Sequence, residues 1–264
     1  MKASAAASAA IASAAVPTIM DAQAGGGRKL RIGAMCVGDG SFWSYSWGDI
    51  LSPSGKPVNQ DTLGTGVLRM EVTHVWDANP DAAAKFAGQM GAKAVRRYDG
   101  MAGQVDAVAM GGFYEIPWQH RLVRPYIEAG IPTYLGRPFA YSLRDIDGLL
   151  DIAAKHNTPI IATDLYEHLH SVWTLRSRLG NVGDIECVHA TTLTADYPMR
   201  FHVQFMLPKI FGFDISRIAL FTDNPNQSSY LTGTYLYPGR EGKPPFPCTV
   251  SMTPRGDLYS YSII

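Results

Sequence analysis

Short apolar runs alternate with stretches of helical periodicity along the first 164 residues of the chain. The apolar runs occupy 28–37, 68–76, 95–98, 105–110, 131–135 and 158–163. Between them, apolar side chains recur every three or four residues in 80–91, 117–130 and 142–153. Apolar strands that alternate with helices are typical of an α/β protein with a Rossmann-type, doubly wound parallel sheet.

The stretch 105–140 contains the clearest strand–helix–strand unit. Its first strand ends on Gly111-Gly112, and Gly130 caps the helix that follows. Connections this short make a βαβ unit with parallel strands and a right-handed crossover. Because ligands of such sheets bind at the carboxyl ends of the strands, residues 111–115 and 136–138 lie at the predicted binding edge.

Beyond residue 164 the pattern changes to strand-like runs. They occupy 185–192, 215–222, 229–237, 248–253 and 258–263, with an apolar helix after His202. The turn residues 254–257 predict that the last two strands form a hairpin. We therefore expect a smaller α+β domain with a mostly antiparallel sheet at 165–264, after a sheet domain at 28–164 and a leader at 1–27.

The leader is rich in alanine and serine, with Lys2 near its start and Ala22-Gln23-Ala24 near its end. This pattern predicts a secretory signal peptide, and hence a periplasmic or secreted protein. A disordered leader on a cytoplasmic protein is the alternative. No apolar run reaches the length that spans a bilayer.

Composition narrows the classes of partner. Basic and acidic residues number 23 each, so no basic surface favours nucleic acid. The chain has three cysteines, Cys36, Cys187 and Cys248, which are far apart in sequence. An odd, scattered set fits small buried side chains better than a disulfide framework or a zinc site.

Gly38-Asp39-Gly40 follows the first strand directly. In a dinucleotide-binding fold such glycines permit a tight turn and close approach of the backbone to pyrophosphate, although Trp43 stands where a third glycine is usual. Two glycines after a strand also form ordinary turns. Asp77, at the end of the second strand, would hold a ribose hydroxyl and favour NAD over NADP, or would cap the next helix.

Residues 29–164 resemble the Gfo/Idh/MocA family of nicotinamide-dependent sugar oxidoreductases. The resemblance rests on the DANPDAAAKFAGQMGA segment from Asp77, Asp106-Ala107-Val108, His120, Ala129-Gly130-Ile131-Pro132 and Gly136-Arg137-Pro138-Phe139-Ala140. It implies binding of NAD or NADP by Gly38, Asp39, Gly40, Asp77, Gly111, Gly112, His120, Arg137 and Pro138.

The chain departs from the family pattern at two catalytic positions. The family's Glu-Lys-Pro is Gly136-Arg137-Pro138 here, so Arg137 replaces the lysine that assists proton transfer. His202 matches the family's histidine, but Pro198 stands where an aspartate is expected four residues earlier, and Asp196 is near. The resemblance implies proton transfer by His202, with Arg137, which stays protonated, stabilising charge on the substrate oxygen.

From the residues alone, a histidine ahead of an apolar helix is more often a helix cap or a buried polar residue than a catalytic group. His168 and His170 could face one metal ion on a strand, but the helical pattern around them points the two rings apart. No metal site is therefore predicted.

The resemblance implies hydride transfer between a nicotinamide cofactor and a hydroxyl or carbonyl group of a sugar or polyol. Two alternatives stay open. One is a cofactor-binding relative without dehydrogenase activity, with a sugar-binding or regulatory role. The other is a glycoside-cleaving enzyme that uses tightly bound NAD. Either way the expected partner is a small-molecule sugar or polyol, with a homo-oligomer formed through the C-terminal sheet.

Overall fold

The computed structural model describes residues 29–44, 70–112, 115–164, 168–192, 201–222, 231–239, 244–252 and 259–263. The leader, Asp196 and Pro198 lie outside these residues. The chain divides into two compact units. The described residues of the first unit lie within Met1–Gly112, Pro125–Thr133 and His156–Thr158. Those of the second unit lie within Phe113–Arg124, Tyr134–Lys155 and Pro159–Ile264. The domain boundaries expected after residues 27 and 164 stay predictions.

The predicted doubly wound sheet is present. Its elements are β1 (Leu30–Met35), β2 (Met70–Trp76), α1 (Pro80–Met90), β3 (Lys93–Ala94), β4 (Ala107–Met110), α2 (Ile116–Leu122), α3 (Arg124–Glu128), β5 (Thr133–Leu135), α4 (Leu143–His156) and β6 (Ile160–Ala162). Six strands form one parallel sheet in the order β3-β2-β1-β4-β5-β6. The strand order reverses between β1 and β4, where sheets of this kind bind ligands.

Local signals explain α1. Asn79 caps its start by accepting a hydrogen bond from the Asp81 backbone N–H at 3.0 Å, and Pro80 occupies the first turn. Gly91 ends the helix in the left-handed conformation, with φ of 64°. The apolar face of α1 packs on β1 and β2 through Ala83, Phe86, Ala87 and Met90.

Two predicted elements differ in the structure. The third strand is Lys93–Ala94 and not 95–98, because the chain bends at Arg97, whose side chain binds Asp99 at 2.7 Å and whose carbonyl accepts from Gly100. The single helix predicted at 117–130 is two short helices, α2 and α3. Pro125 lacks the N–H that would continue the first helix, and its ring collides with the preceding turn.

The second sheet is mostly antiparallel, as predicted. The elements are α5 (His170–Arg178), a short 3-10 helix (Leu179–Asn181), β7 (Val188–Thr192), α6 (Phe201–Phe211), β8 (Arg217–Thr222), β9 (Leu231–Tyr237), β10 (Phe246–Met252) and β11 (Tyr259–Ile263). The strand order is β11-β7-β10-β9-β8, and only the β7–β10 pair among these is parallel.

The predicted terminal hairpin is wrong. β7 lies between β10 and β11, and Ala190 of β7 pairs with Val250 on one side and Tyr261 on the other. Turn residues indicate that the chain reverses, but they do not determine which strands pair. Val188 and Ala190 are 0% and 1% exposed, so burial favours β7 in the interior of the sheet.

Helices α5 and α6 cover one face of the second sheet. Its core contains Val172, Leu207, Ile210, Phe211, Tyr237, Cys248 and Val250. Cys36 and Cys248 are free and buried, whereas Cys187 is partly exposed. Burial raises the pKa of the Cys248 thiol to about 12, which keeps it protonated and unreactive. Among the helices that the structure describes, none combines the length and hydropathy of a membrane span.

Gly111 lies against the indole of Trp43, which is 2% exposed and packs edge-on against Phe86 with 5.8 Å between ring centroids. A Cβ at position 111 would stand 2.7 Å from Trp43 Nε1 and closer still to Cδ1. We expect Gly111→Ala to lower the free energy of unfolding by about 1–3 kcal/mol, because the buried ring has to move.

The matched control is Gly88→Ala, within α1, where no atom lies within 4 Å of the added Cβ. This substitution should raise the free energy of unfolding by roughly 0.5–1 kcal/mol. Urea denaturation of both variants measures the difference. Equal midpoints would contradict the packing described at Gly111.

Candidate functional site

Arg137, Asp164 and His202 form a buried cluster within the second unit. Arg137 lies two residues beyond β5, Asp164 two residues beyond β6, and His202 is the second residue of α6. Their exposed fractions are 4%, 0% and 1%. The structure therefore brings together the two residues that the sequence singled out for catalysis, and adds an aspartate.

Asp164 Oδ2 contacts both of the other side chains. It accepts a hydrogen bond from His202 Nδ1 at 2.7 Å and pairs with Arg137 Nε. Arg137 Nη2 lies 2.8 Å from His202 Nε2 and 3.2 Å from Nδ1. A carboxylate only accepts, so Nδ1 carries the ring hydrogen. Arg137 Nη2 is close to both ring nitrogens and therefore lies at a face of the ring, out of line with the Nε2 lone pair.

This arrangement has the parts that acid–base chemistry needs. An imidazole can exchange a proton with a hydroxyl near neutral pH, and a carboxylate behind it orients the ring. The Arg137 guanidinium can stabilise negative charge that develops on an oxygen, an effect that strengthens where water is excluded. A buried charge is costly without an opposite charge beside it, and Arg137 and Asp164 supply that charge to each other.

Gln119 holds the loop that carries Arg137, and the sequence did not reveal it. Its side chain is 0% exposed. Its amide nitrogen donates to the carbonyls of Gly136, Pro138 and Phe139 at 3.0, 2.8 and 2.6 Å, and its oxygen accepts from the Gly136 N–H at 3.1 Å. A glutamine in a helix has no distinctive local pattern, so only the fold shows this role.

His120, which the sequence analysis assigned to cofactor binding, is the residue after Gln119. His120 Nε2 lies 3.8 Å from Asp145 Oδ1, near the start of α4. Asp145 and Ser142 form an N-terminal capping box, in which the Asp145 N–H donates to Ser142 Oγ at 3.1 Å and the hydroxyl donates to Asp145 Oδ2 at 2.7 Å. The cofactor contact proposed for His120 stays a prediction.

The glycine turn of the first unit is joined to Asp77. The Gly38 N–H donates to Asp77 Oδ2 at 2.9 Å, and Asp77 Oδ1 accepts from the Asn79 N–H at 2.7 Å. The cap of α1 is Asn79, so Asp77 supports the turn instead. Gly40 has φ of 82°, which favours glycine, and Asp39 and Gly40 are exposed.

This turn fits a dinucleotide. An exposed glycine turn after the central strand lets backbone N–H groups approach phosphate oxygens, and the Asp77 carboxylate stands beside it at the end of β2. Trp43, at the third glycine position, points away into the core, and the adjacent Phe42 N–H donates to the Gly111 carbonyl at 2.8 Å. Gly111 and Gly112 are buried at the end of β4.

His168 and His170 have separate neighbours. His168 Nε2 is 2.6 Å from Thr163 Oγ1, and His170 Nε2 is 3.3 Å from Thr174 Oγ1. Within the described ranges, no three His, Cys, Asp or Glu side chains are grouped so that they could hold a metal ion.

Comparison with known proteins adds the fold. No protein-family model and no curated protein sequence matches the chain. Solved structures do match. A Gfo/Idh/MocA family oxidoreductase from Vibrio cholerae has 15% identity and a TM-score of 0.64, over 89% of this chain and 73% of that one. A scyllo-inositol dehydrogenase from Lactobacillus casei has 13% identity and a TM-score of 0.66, over 90% and 73%.

An oxidoreductase from Agrobacterium radiobacter, solved with NAD+, L-tartaric acid and magnesium, has 13% identity and a TM-score of 0.66, over 89% of this chain and 71% of that one. The chain therefore has the fold of the Gfo/Idh/MocA oxidoreductases, which confirms the predicted resemblance and fold class at the level of architecture.

Proposed function

We propose that the protein is an NAD(P)-dependent oxidoreductase that acts on a hydroxyl or carbonyl group of a sugar or polyol. The observation that carries the proposal is the buried cluster of Arg137, Asp164 and His202 at the carboxyl ends of β5 and β6. It combines a proton-exchanging group with a fixed positive charge, the two things that an alcohol needs when it becomes a carbonyl.

In the oxidative direction, the carbinol carbon loses a hydride and its hydroxyl loses a proton. The nicotinamide supplies the hydride acceptor. His202 takes the hydroxyl proton through Nε2, and Arg137 stabilises the oxygen while its charge develops. In reduction the same two side chains act in reverse, with His202 returning the proton.

The dinucleotide is assigned to the first unit, at Gly38, Asp39, Gly40 and Asp77. The exposed turn supports the assignment, as does the likeness to an oxidoreductase solved with NAD+.

The test of function starts with the purified protein, before any cofactor is added. Native mass spectrometry detects a dinucleotide that is retained through purification, and nicotinamide absorbance follows turnover with a panel of sugars and polyols. Absence of both binding and absorbance change would contradict the proposal.

Asp77 should favour NAD+ over NADP+, because its carboxylate repels the extra phosphate. We expect Asp77→Asn to narrow the ratio of the two dissociation constants by about tenfold. Loss of the bond to Gly38 affects both cofactors equally, so the ratio isolates the charge. Isothermal titration measures it, with Asp81→Asn on the exposed first turn of α1 as control. An unchanged ratio would place Asp77 away from the ribose.

A second candidate function is cofactor or sugar binding without redox chemistry. It is favoured by the contacts of His202, whose two ring nitrogens both lie within the cluster while the side chain is 1% exposed. The same panel separates the candidates. Saturable binding of a sugar with no change in nicotinamide absorbance supports this one.

The cellular location and the assembly belong to the proposal as well. The leader at 1–27 argues for export, which cell fractionation of the full chain tests.

The edge strand β8 exposes Ile218, Leu220 and Phe221 to 54%, 56% and 64%, and such a surface supports a homo-oligomer through the second sheet. Light scattering after size exclusion measures the mass.

A further inference from the structure

We propose that Asp164 is the positioning residue of His202, and that the carboxylate of the site is thus supplied by the end of strand β6. The inference rests on the proposed function, because it assigns a role within the same reaction. No part of the chain outside the described residues is needed for it.

Burial makes Asp164 informative. At 0% exposure its carboxylate has lost its water, so protein groups have to take over its hydrogen bonds. His202 Nδ1 donates a hydrogen bond to Oδ2, and Arg137 Nε forms an ion pair with the same oxygen. One charged oxygen therefore fixes the relative position of the guanidinium and the imidazole.

The contact with Asp164 determines the tautomer of His202. Nδ1 faces the carboxylate at 2.7 Å and must donate, because a carboxylate only accepts. Asp164 therefore selects the Nδ1–H form. The lone pair of Nε2 is then the one that receives a proton from substrate.

The backbone before Asp164 is held as well. The Tyr134 hydroxyl, on β5, donates to the Thr163 carbonyl at 3.2 Å. The peptide that enters Asp164 is thus bound to the strand next to its own. A carboxylate fixed at a strand end in this way can orient the His202 ring.

The first test is nuclear magnetic resonance of the full chain labelled with 15N-histidine, without substrate. His202 is assigned by the loss of its signal in His202→Ala. We expect a proton on Nδ1, shifted downfield by the charged acceptor and slow to exchange with water. A proton on Nε2 instead would overturn the proposal.

The second test is Asp164→Asn, which keeps the shape and removes the charge. The Nδ1–H signal should move upfield, and kcat should fall on the order of 10- to 100-fold with KM changed much less, because a neutral acceptor orients the ring more weakly. If Asp164 had a purely structural role, the Nδ1–H signal would stay in place and kcat would not fall more than KM changes. That result would contradict the proposal.

Asp99→Asn is the matched control, since Asp99 also pairs with an arginine, Arg97, but at the surface. It should change neither the His202 signal nor kcat. If the wild-type signal is as expected but no substrate turns over, the proposed function fails while the positioning of His202 by Asp164 stands.

Discussion

Replacing His202 by alanine is expected to lower kcat by about 10²- to 10⁴-fold, the range that a positioned proton donor or acceptor contributes. The ring lies against Arg137 and Asp164, and the imidazole is the group of this cluster that can both accept and donate a proton. Arg137 cannot replace it, because the guanidinium stays protonated. Initial rates with the best substrate of the panel measure the loss.

His189→Ala provides the control for this prediction. His189 is an exposed histidine on β7, so the same chemical change there should leave kcat unaltered. Circular dichroism of His202→Ala shows whether the fold is kept, and His202→Asn fills most of the space if the alanine variant is unstable. Turnover that survives both substitutions at position 202 would refute the role of His202.

Gln119→Met should lower the free energy of unfolding by roughly 3–5 kcal/mol. Methionine fills a similar volume but makes none of the four hydrogen bonds of the amide. The Gly136 carbonyl and N–H would lose their partner in a buried position, and each such loss costs about 1–3 kcal/mol before the loop relaxes. The Pro138 and Phe139 carbonyls would lose theirs in a partly buried position. Because this loop carries Arg137, catalytic activity should fall together with stability.

Gln104→Met is the comparison, since Gln104 is only partly buried and its amide donates to the Gly100 carbonyl at 2.6 Å. It should cost about 1 kcal/mol. Urea denaturation ranks the two variants. Similar losses at positions 104 and 119 would mean that the 136–139 loop is held by other contacts.

The first sheet could be predicted because its signals are local. β1 and β4 lie between neighbouring strands in the sheet, so each contains an apolar run that can be recognised without its partners. The helix α1 carries its own start and end in Asn79, Pro80 and Gly91. These features depend on residues that are close in sequence, which is why they can be recognised from the sequence alone.

The cluster could be predicted only in part. His202 and Arg137 were found through the resemblance, but Asp164 stands 38 residues before His202 with no spacing that connects them. The pairing of β11 with β7 failed for the same reason, since a turn signal is local and strand partners are not. Gln119 was not predicted, although His120 beside it was. Neighbouring residues of a helix point in different directions, and the sequence does not show which of the two side chains faces the 136–139 loop.

The position of β7 between β10 and β11 also bears on how the second sheet assembles. Both partner strands are synthesised after β7. Its two edges therefore stay unpaired until more than fifty further residues, between Thr192 and Phe246, have been synthesised. Pairings between such distant segments form slowly, and an unpaired edge invites association with other chains. Refolding yield should therefore depend on protein concentration more steeply than for a sheet built from consecutive hairpins.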